Sequence, residues 1–252
     1  MYPYEFFTKY RIDNLKNQVF VGMWFNPEHH KRYENIIEKA IRKCETLTPY
    51  RVDQPVSGDS IPINILEGIL NSRIVLFEIS YITQKIKLIG SAEEKRFRNA
   101  NVMYELGLAH AWRLPEEIIV IRDDNDTLPF DITAYRVHQY DPNDINRSIE
   151  RISTIINKAI KEIDRTKSIM VERAVKSLDA TCFRFTHENR GHYFSEARYD
   201  PKLSHIIPRL LDLGLLWLDT SGGGGSYVYH WTELGRDVIK SLGIDIYPKE
   251  KS

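Results

Sequence analysis

The sequence predicts an α/β fold, a parallel sheet with helices on both faces, followed by a small α+β domain. Three observations carry that expectation. Over the first two-thirds of the chain, short apolar runs rich in β-branched residues alternate with longer amphipathic stretches, the pattern of strands and helices in a parallel sheet. After Thr166 the order changes to helices, then a hairpin, then a last helix. The length of 252 residues, 42% hydrophobic and 28% charged, suits one domain of ordinary size and a smaller one. The expected domains are 1–165 and 166–252.

Val19–Met23, Ile74–Ile79 and Ile118–Ile121 read as buried strands, being rich in Val and Ile. Between them, His30–Cys44 and Pro62–Asn71 have helical spacing, with Ile36, Ile37, Ala40 and Ile41 on one face. Arg136–Tyr140 is a half-exposed strand. Asn143–Ile163 carries isoleucines at 145, 149, 152, 155, 156, 160 and 163, a sustained helical stripe. Open parallel sheets take their ligands at the carboxyl ends of the strands. A site is therefore expected in the loops after Met23, Ile79 and Ile121.

In the second domain, Ile169–Leu178 and Ala180–Glu188 read as two helices. Asp200-Pro201 places an N-cap before proline at the first helical position, opening a helix over Lys202–Leu213 that ends at Gly214. Leu215–Asp219, a glycine-rich turn over Ser221–Ser226, and Tyr227–Trp231 form a hairpin. Thr232 caps a last helix, Glu233–Leu242, closed by Gly243. Leu210-Leu211-Asp212-Leu213-Gly214-Leu215-Leu216, followed by Trp231-Thr232-Glu233-Leu234-Gly235, is similar to the winged-helix pattern of many bacterial regulators. The Gly222–Gly225 run then reads as a wing tip, since no Lys-Ser/Thr follows to make a phosphate loop.

Composition excludes several functions. Thirty-five basic and thirty-five acidic residues cancel, so no global field favours nucleic acid or membrane. No apolar run approaches the ~20 residues of a spanning helix, and Met1–Glu5 lacks the features of a signal peptide. Cys44 and Cys182 are too few for a disulfide framework or a zinc site. A soluble cytoplasmic protein without metal or cofactor is expected. Lys202, His205, Arg209 and Asp212 share one face of the helix over Lys202–Leu213. From Thr166 onward, however, twelve Lys/Arg stand against eleven Asp/Glu, less basic than DNA-binding domains usually are. Pro208 also interrupts that helix. DNA contact through this domain has weak support, and dimerisation or partner docking fits at least as well.

The chemistry concentrates in Asn99-Ala100-Asn101-Val102-Met103-Tyr104-Glu105-Leu106-Gly107-Leu108-Ala109-His110-Ala111. Helix spacing accounts for Val102, Leu106 and Ala109 on one face. Gly107, costing about 1 kcal/mol against Ala in a helix, is expected where a sheet or ligand comes close. Glu105 lies in the first turns, where the macrodipole favours its ionised form. A carboxylate beside an anomeric carbon stabilises or attacks the oxocarbenium-like sugar formed when an N-glycosidic bond breaks. Asn99 and Asn101 are amides suited to holding Glu105 or a ribose hydroxyl, although Asn is also a favoured N-cap. Trp24, Phe25 and Tyr104 offer flat surfaces to a base. Glu78, at the end of its strand, faces the expected ligand edge.

Val19-Phe20-Val21-Gly22-Met23-Trp24-Phe25-Asn26, followed by a helix containing Tyr33, and Met103-Tyr104-Glu105-Leu106-Gly107-Leu108-Ala109 resemble the nucleoside 2-deoxyribosyltransferases. In that pattern an opening strand ends in a Gly and a Trp-Phe pair, and the catalytic glutamate sits in a Glu-Leu-Gly helix. The wider set includes nucleotide N-hydrolases and, more distantly, TIR domains that cleave NAD. The chain also looks like bacterial TIR-like modules with Asn-x-Asn-Val-x-Tyr-Glu-Leu-Gly, a strand, and Pro-Phe-Asp, matched here by Pro129-Phe130-Asp131. The resemblance spans residues 17 to 160. It implies Glu105 as the catalytic residue, with Phe20, Gly22, Trp24, Phe25, Glu78, Asn99, Asn101 and Tyr104 around a nucleotide or NAD.

Two departures stand out. Asn99 replaces the transferases' aspartate six positions before the glutamate, and their base-reading aspartate aligns near Ile65. Asp53, Asp59 and Glu78 are the candidate substitutes. Loss of a proton donor points to a base that leaves without help, such as the cationic nicotinamide of NAD. The expected activity is glutamate-dependent cleavage of a nucleotide N-glycosidic bond by a homo-oligomer, in a setting resembling antiphage defence. The alternative is a nucleotide sensor coupled to a winged helix on DNA or protein.

Overall fold

The computed structural model describes residues 15–52, 61–88, 91–128, 132, 135–191, 193–197, 202–219 and 226–246. The chain divides into two units, Met1–Ile163 and Asp164–Ser252.

In the first unit, five parallel strands run in the order β2-β1-β3-β6-β7: β1 Lys16–Gly22, β2 Thr48–Tyr50, β3 Ser72–Glu78, β6 Ile118–Arg122 and β7 Val137–Gln139. Both faces are covered, which is why the central strands read as near-continuous apolar runs. Val19, Val21, Ile74, Leu76, Ile119 and Ile121 point to one face and pack on α1 and α4. Here α1 comprises Pro27–Arg32, a π turn over Tyr33–Ile37, and Glu38–Arg42, and α4 is Ile145–Ser177. Phe20, Val75, Phe77 and Val120 point to the other face and meet α2 (Ile61–Asn71) and α3 (Ala100–Trp112) through Ile69, Val102, Leu106 and Ala109. The parallel α/β architecture expected from the sequence is observed.

Three elements differ from expectation. Thr48–Tyr50 is an edge strand too short to show a period. Ile82–Leu88 (β4) and Ser91–Phe97 (β5) pair antiparallel as a separate ribbon, and their polar content hid them. The helices expected over 143–163 and 169–178 are one 33-residue helix, α4. The apolar stripe fades near Thr166, but neither Gly nor Pro ends the helix there. The boundary between the two units falls within it.

The second unit holds α5 (Ala180–Glu188), β8 (Tyr193–Ala197), α6 (Lys202–Asp212), β9 (Leu216–Asp219), β10 (Ser226–Trp231) and α7 (Glu233–Ser241), with an antiparallel sheet ordered β8-β10-β9. Phe185, Leu210, Trp231 and Ile239 lie in its core. Thr232 Oγ1 accepts the Gly235 N–H at 3.0 Å, capping α7 as expected. Gly214 and Gly243 adopt φ of 67° and 73° after α6 and α7, the left-handed conformation that ends a helix. Strand β8 has no counterpart among the expected elements. Asp200-Pro201 and the Gly222–Gly225 tip lie outside the described residues. Among the described residues, no helix is long and apolar enough to cross a membrane.

Candidate functional site at the carboxyl edge of the parallel sheet

Helix α3 carries Glu105 to the end of β1. Val102, Leu106 and Ala109 are buried against the sheet, so Glu105, one position before Leu106, lies at the border of the packed face. Gly22, the last residue of β1, makes room for it. A Cβ there would lie 3.1 Å from Glu105 Oε2 and 2.5 Å from the Phe77 ring. Gly22 has no positive φ, so space rather than backbone conformation requires glycine. Glu105 is half-buried, and among the described residues it has no hydrogen-bond or ion-pair partner. Burial alone pushes its carboxyl up to about 7.

This corrects the expectation that the macrodipole keeps Glu105 ionised. The residue is sixth in the helix, beyond the first turn where the dipole acts, and burial dominates. Gly107 is a second correction. It is exposed, and a Cβ there would meet nothing within 4 Å. Gly22 is the glycine that permits a close approach.

Glu78 belongs to the opposite face. Successive strand residues point to opposite sides, and Phe77 lies on the Glu105 side while Glu78 lies on the other. Its side chain is fully buried in a polar cluster. Ser80 Oγ, the Ser80 N–H (3.3 Å) and Tyr140 OH (3.2 Å) all donate to Glu78 Oε1. His29 Nε2 stands 3.6 Å from Oε2. Burial pushes the Glu78 carboxyl up to about 7, against the Ser80 hydrogen bond and the Arg32 charge that pull it down. Burial and then the Arg32 charge lower the His29 pKa. The His29 N–H also donates to Asn26 Oδ1 at 2.7 Å, and Nδ1 sits 2.8 Å from the same oxygen, so Nε2 of the neutral ring is the acceptor turned toward Glu78. Burial and the Glu78 charge push the Tyr140 phenol well above its usual range.

Beside this cluster a polar cavity of about 460 Å³ opens among the loops after β1, β3 and β6, lined by Trp24, His29, Arg32, Tyr81, Asp123 and Asp126 among others. These are the loops expected to hold a site. Its charges are internally balanced. Arg32 pairs with Asp123 at 2.6 Å and Glu28 at 2.6 Å, Arg98 with Asp124 at 3.1 Å, and Arg96 with Asp126 at 2.6 Å.

The other sequence candidates fall in different places. Phe20 is a core residue, 1% exposed, enclosed by Phe77, Tyr50 and Gly68, and presents no surface to a ligand. Asn99 is the N-cap of α3; its Oδ1 accepts the N–H groups of Asn101 (3.0 Å) and Val102 (3.2 Å), which leaves that oxygen committed to the helix. Asn101 and Tyr104 are exposed, Tyr104 by 63%. Trp24 packs edge-on against His29, and Phe25 is half-exposed beneath the Arg51 guanidinium at 5.3 Å. His110 stacks on Tyr135 rather than turning to Glu105. Asp53, Asp59 and Asp131 lie outside the described residues.

The sequence pattern does not single out His29, Arg32, Ser80, Asp123 or Tyr140. The signal for the first two was Asn26-Pro27, an N-cap and a proline that start α1 three residues earlier than its apolar period suggests. Asp123 and Tyr140 each stand one residue past a strand, where the strand-end rule applies.

No protein-family model and no curated protein matches the chain. The fold and the edge of its sheet define the class: a parallel α/β protein with the half-buried Glu105, unpartnered among the described residues, on one face and a closed polar cluster on the other.

Proposed function

We propose that the protein is a glutamate-dependent N-glycosidase of nucleotides, with Glu105 as its catalytic carboxylate. The observation that carries this reading is the Glu105 side chain itself, half-buried, without a partner among the described residues, and held beside Gly22 at the carboxyl edge of the sheet. Unpartnered buried carboxylates are costly, and a raised carboxyl at a sheet edge fits a chemical role. As the C–N bond breaks, the base leaves with the bonding pair, and the carboxylate bonds to the anomeric carbon or stabilises its charge. Water then attacks the anomeric carbon, breaking any bond to Glu105, and its proton passes to solvent. A base already cationic in the substrate, as in NAD, leaves neutral and needs no proton donor. That agrees with the absence of a second acid beside Glu105 among the described residues.

The likeness to deoxyribosyltransferases and TIR-like modules supports the same reading, with an antiphage-defence setting and a homo-oligomer as its extension. The sheet order β8-β10-β9, with α6 preceding the β9-β10 hairpin, supports a winged helix for the second unit. The commitment of Asn99 to capping favours a second reading, a domain that binds a nucleotide without cleaving it and signals through that winged helix.

The test is incubation of wild type and Glu105→Gln with NAD and a panel of ribo- and deoxyribonucleotides, watching for free base by chromatography. Wild type is expected to release base at a rate that rises with pH through about 7, as Glu105 ionises. Glu105→Gln is expected to lose on the order of 10³-fold or more in kcat. Equal release by both proteins would remove Glu105 from the chemistry. No release, with one nucleotide protecting the first unit against heat, would establish the sensor.

A further inference from the structure

A second cleft, of about 990 Å³, opens in the first unit beside the amino-terminal half of β6, and Glu105 is not among the residues lining it. Its chemistry is cationic. Arg147, Arg151 and Lys158 stand on the exposed face of α4, opposite the buried Ile152 and Ile156. Their spacing of four and seven residues sets them in one row about 16 Å long. Arg136 and His138 face them from the β7 side.

The charges converge. The pKa of half-buried His138 is lowered by burial and then by Arg136, Arg151 and Lys158 together. Among the described residues, none of these four Arg and Lys side chains has a carboxylate within ion-pair distance. Of the three carboxylates on the rim, Glu150 is taken by Lys43. Glu116 and Glu162 also lie on the rim. A row of cations without ion-pair partners among the described residues repels its own members and is relieved by a bound anion.

Two further features narrow the anion. Three of the four cations are Arg, whose planar fork matches phosphate oxygens two at a time. The cleft also holds a flat platform, the His110 and Tyr135 rings stacked 3.8 Å apart at 8°. Burial lowers the His110 pKa, so the platform is neutral, and Nε2 of that ring is buried without a hydrogen-bond partner. Aromatic surfaces beside a cationic groove are how proteins hold bases next to their phosphates.

We propose that this cleft binds the phosphates of a nucleotide or nucleotide chain, with the base on the Tyr135–His110 platform, at a site distinct from Glu105. The binding of four probes by the full chain tests this: a short fluorescent single strand, ATP, inorganic tripolyphosphate and a glutamate peptide. Wild type is expected to bind the three phosphate probes in a salt-dependent manner. The double variant Arg151→Glu/Lys158→Glu, both surface positions, should lose at least tenfold in affinity. Its log-log salt slope for the strand should fall by about 0.7 for each phosphate contact removed. Tyr135→Ala should weaken the strand and ATP while leaving tripolyphosphate unchanged, and Glu105→Gln should bind as wild type does.

A strand bound more tightly than ATP identifies a nucleotide chain as the ligand; equal binding identifies a free nucleotide. The proposal is overturned by undiminished binding in the folded double variant, by loss of binding in Glu105→Gln, by a glutamate peptide that binds as tightly, or by failure of every phosphate probe at low salt.

Discussion

Glu105 and Glu78 stand at the same edge of one sheet, on opposite faces, and burial pushes both carboxyls up to about 7. Their surroundings differ in kind. Glu78 is sealed in a cluster where Ser80 and Tyr140 satisfy one oxygen and His29 faces the other. Glu105 is half-buried, with a glycine cleared away beside it and no partner among the described residues. The same shift therefore reports two physical states, one compensated and one open. A raised pKa by itself does not separate a structural carboxylate from a reactive one; the partners do. The sequence placed both residues in one ligand site, and the pleat of β3 separates them.

Deleting each side chain separates the two carboxylates most strongly. Glu78→Ala leaves the Ser80 and Tyr140 hydroxyls buried without their acceptor, so it should cost about 3–5 kcal/mol in urea unfolding, as removal of one member of a buried polar cluster does. Glu78→Gln retains Oε1 and should cost much less. Glu105→Ala should be close to neutral at pH 7. Equal costs for the two alanine variants would mean that Glu105 is also held by partners.

Titration distinguishes Glu105 in a second way. Glu105 binds its proton more tightly folded, at about 7, than at the ordinary value of 4.5. The folded state therefore carries the extra proton between those values, and stability falls as pH rises from about 4.5 to about 7, then levels off. Given the partial exposure of Glu105, its share of that fall is on the order of 2–3 kcal/mol. Glu105→Gln should remove this share, so that the variant gains on wild type between pH 5 and pH 8. Unfolding curves at the two pH values measure it; an unchanged difference would show that Glu105 titrates as it does in water.

Glu105 lies against Gly22 at the end of β1. Gly22→Ala puts a methyl group 2.5 Å from the Phe77 ring and 3.1 Å from Glu105 Oε2. Overpacking of that size should cost about 1–3 kcal/mol and displace the carboxylate. Base release should fall together with stability. A variant stable and active as wild type would show that the edge of β1 relaxes without moving Glu105.

Much of this architecture was legible in the sequence, for a definite reason. Val19, Val21, Ile74, Leu76, Ile119 and Ile121 form runs that only a doubly covered sheet requires, and loops at the carboxyl ends of such strands are expected to line cavities. The helical stripe through Ile149, Ile152 and Ile156 marked α4 equally well. What stayed hidden depends on contacts between distant segments. The polar ribbon of β4 and β5 has no apolar run to reveal it, and three-residue β2 has no period. Glu78, Ser80, His29 and Tyr140 meet only after folding, since nothing in their spacing announces a cluster. Gly107 misled because a glycine in a helix has two readings, and the sequence offered no way to see that its side was open.

Asn99 offers the finest separation, between a cap and a ligand group. Its Oδ1 satisfies two N–H groups at the start of α3, so Asn99→Ala should cost about 1 kcal/mol. Asn99→Asp keeps the cap oxygen, and it introduces an acid where the deoxyribosyltransferase pattern has one, six positions before the glutamate. If Asn99 only caps, the aspartate variant matches wild type in both stability and base release. If the carboxamide also touches substrate, stability returns while KM rises, because the variant keeps the accepting oxygen and loses the donating amide. The two outcomes differ in one kinetic constant at equal stability, so the helix cap cannot account for the second.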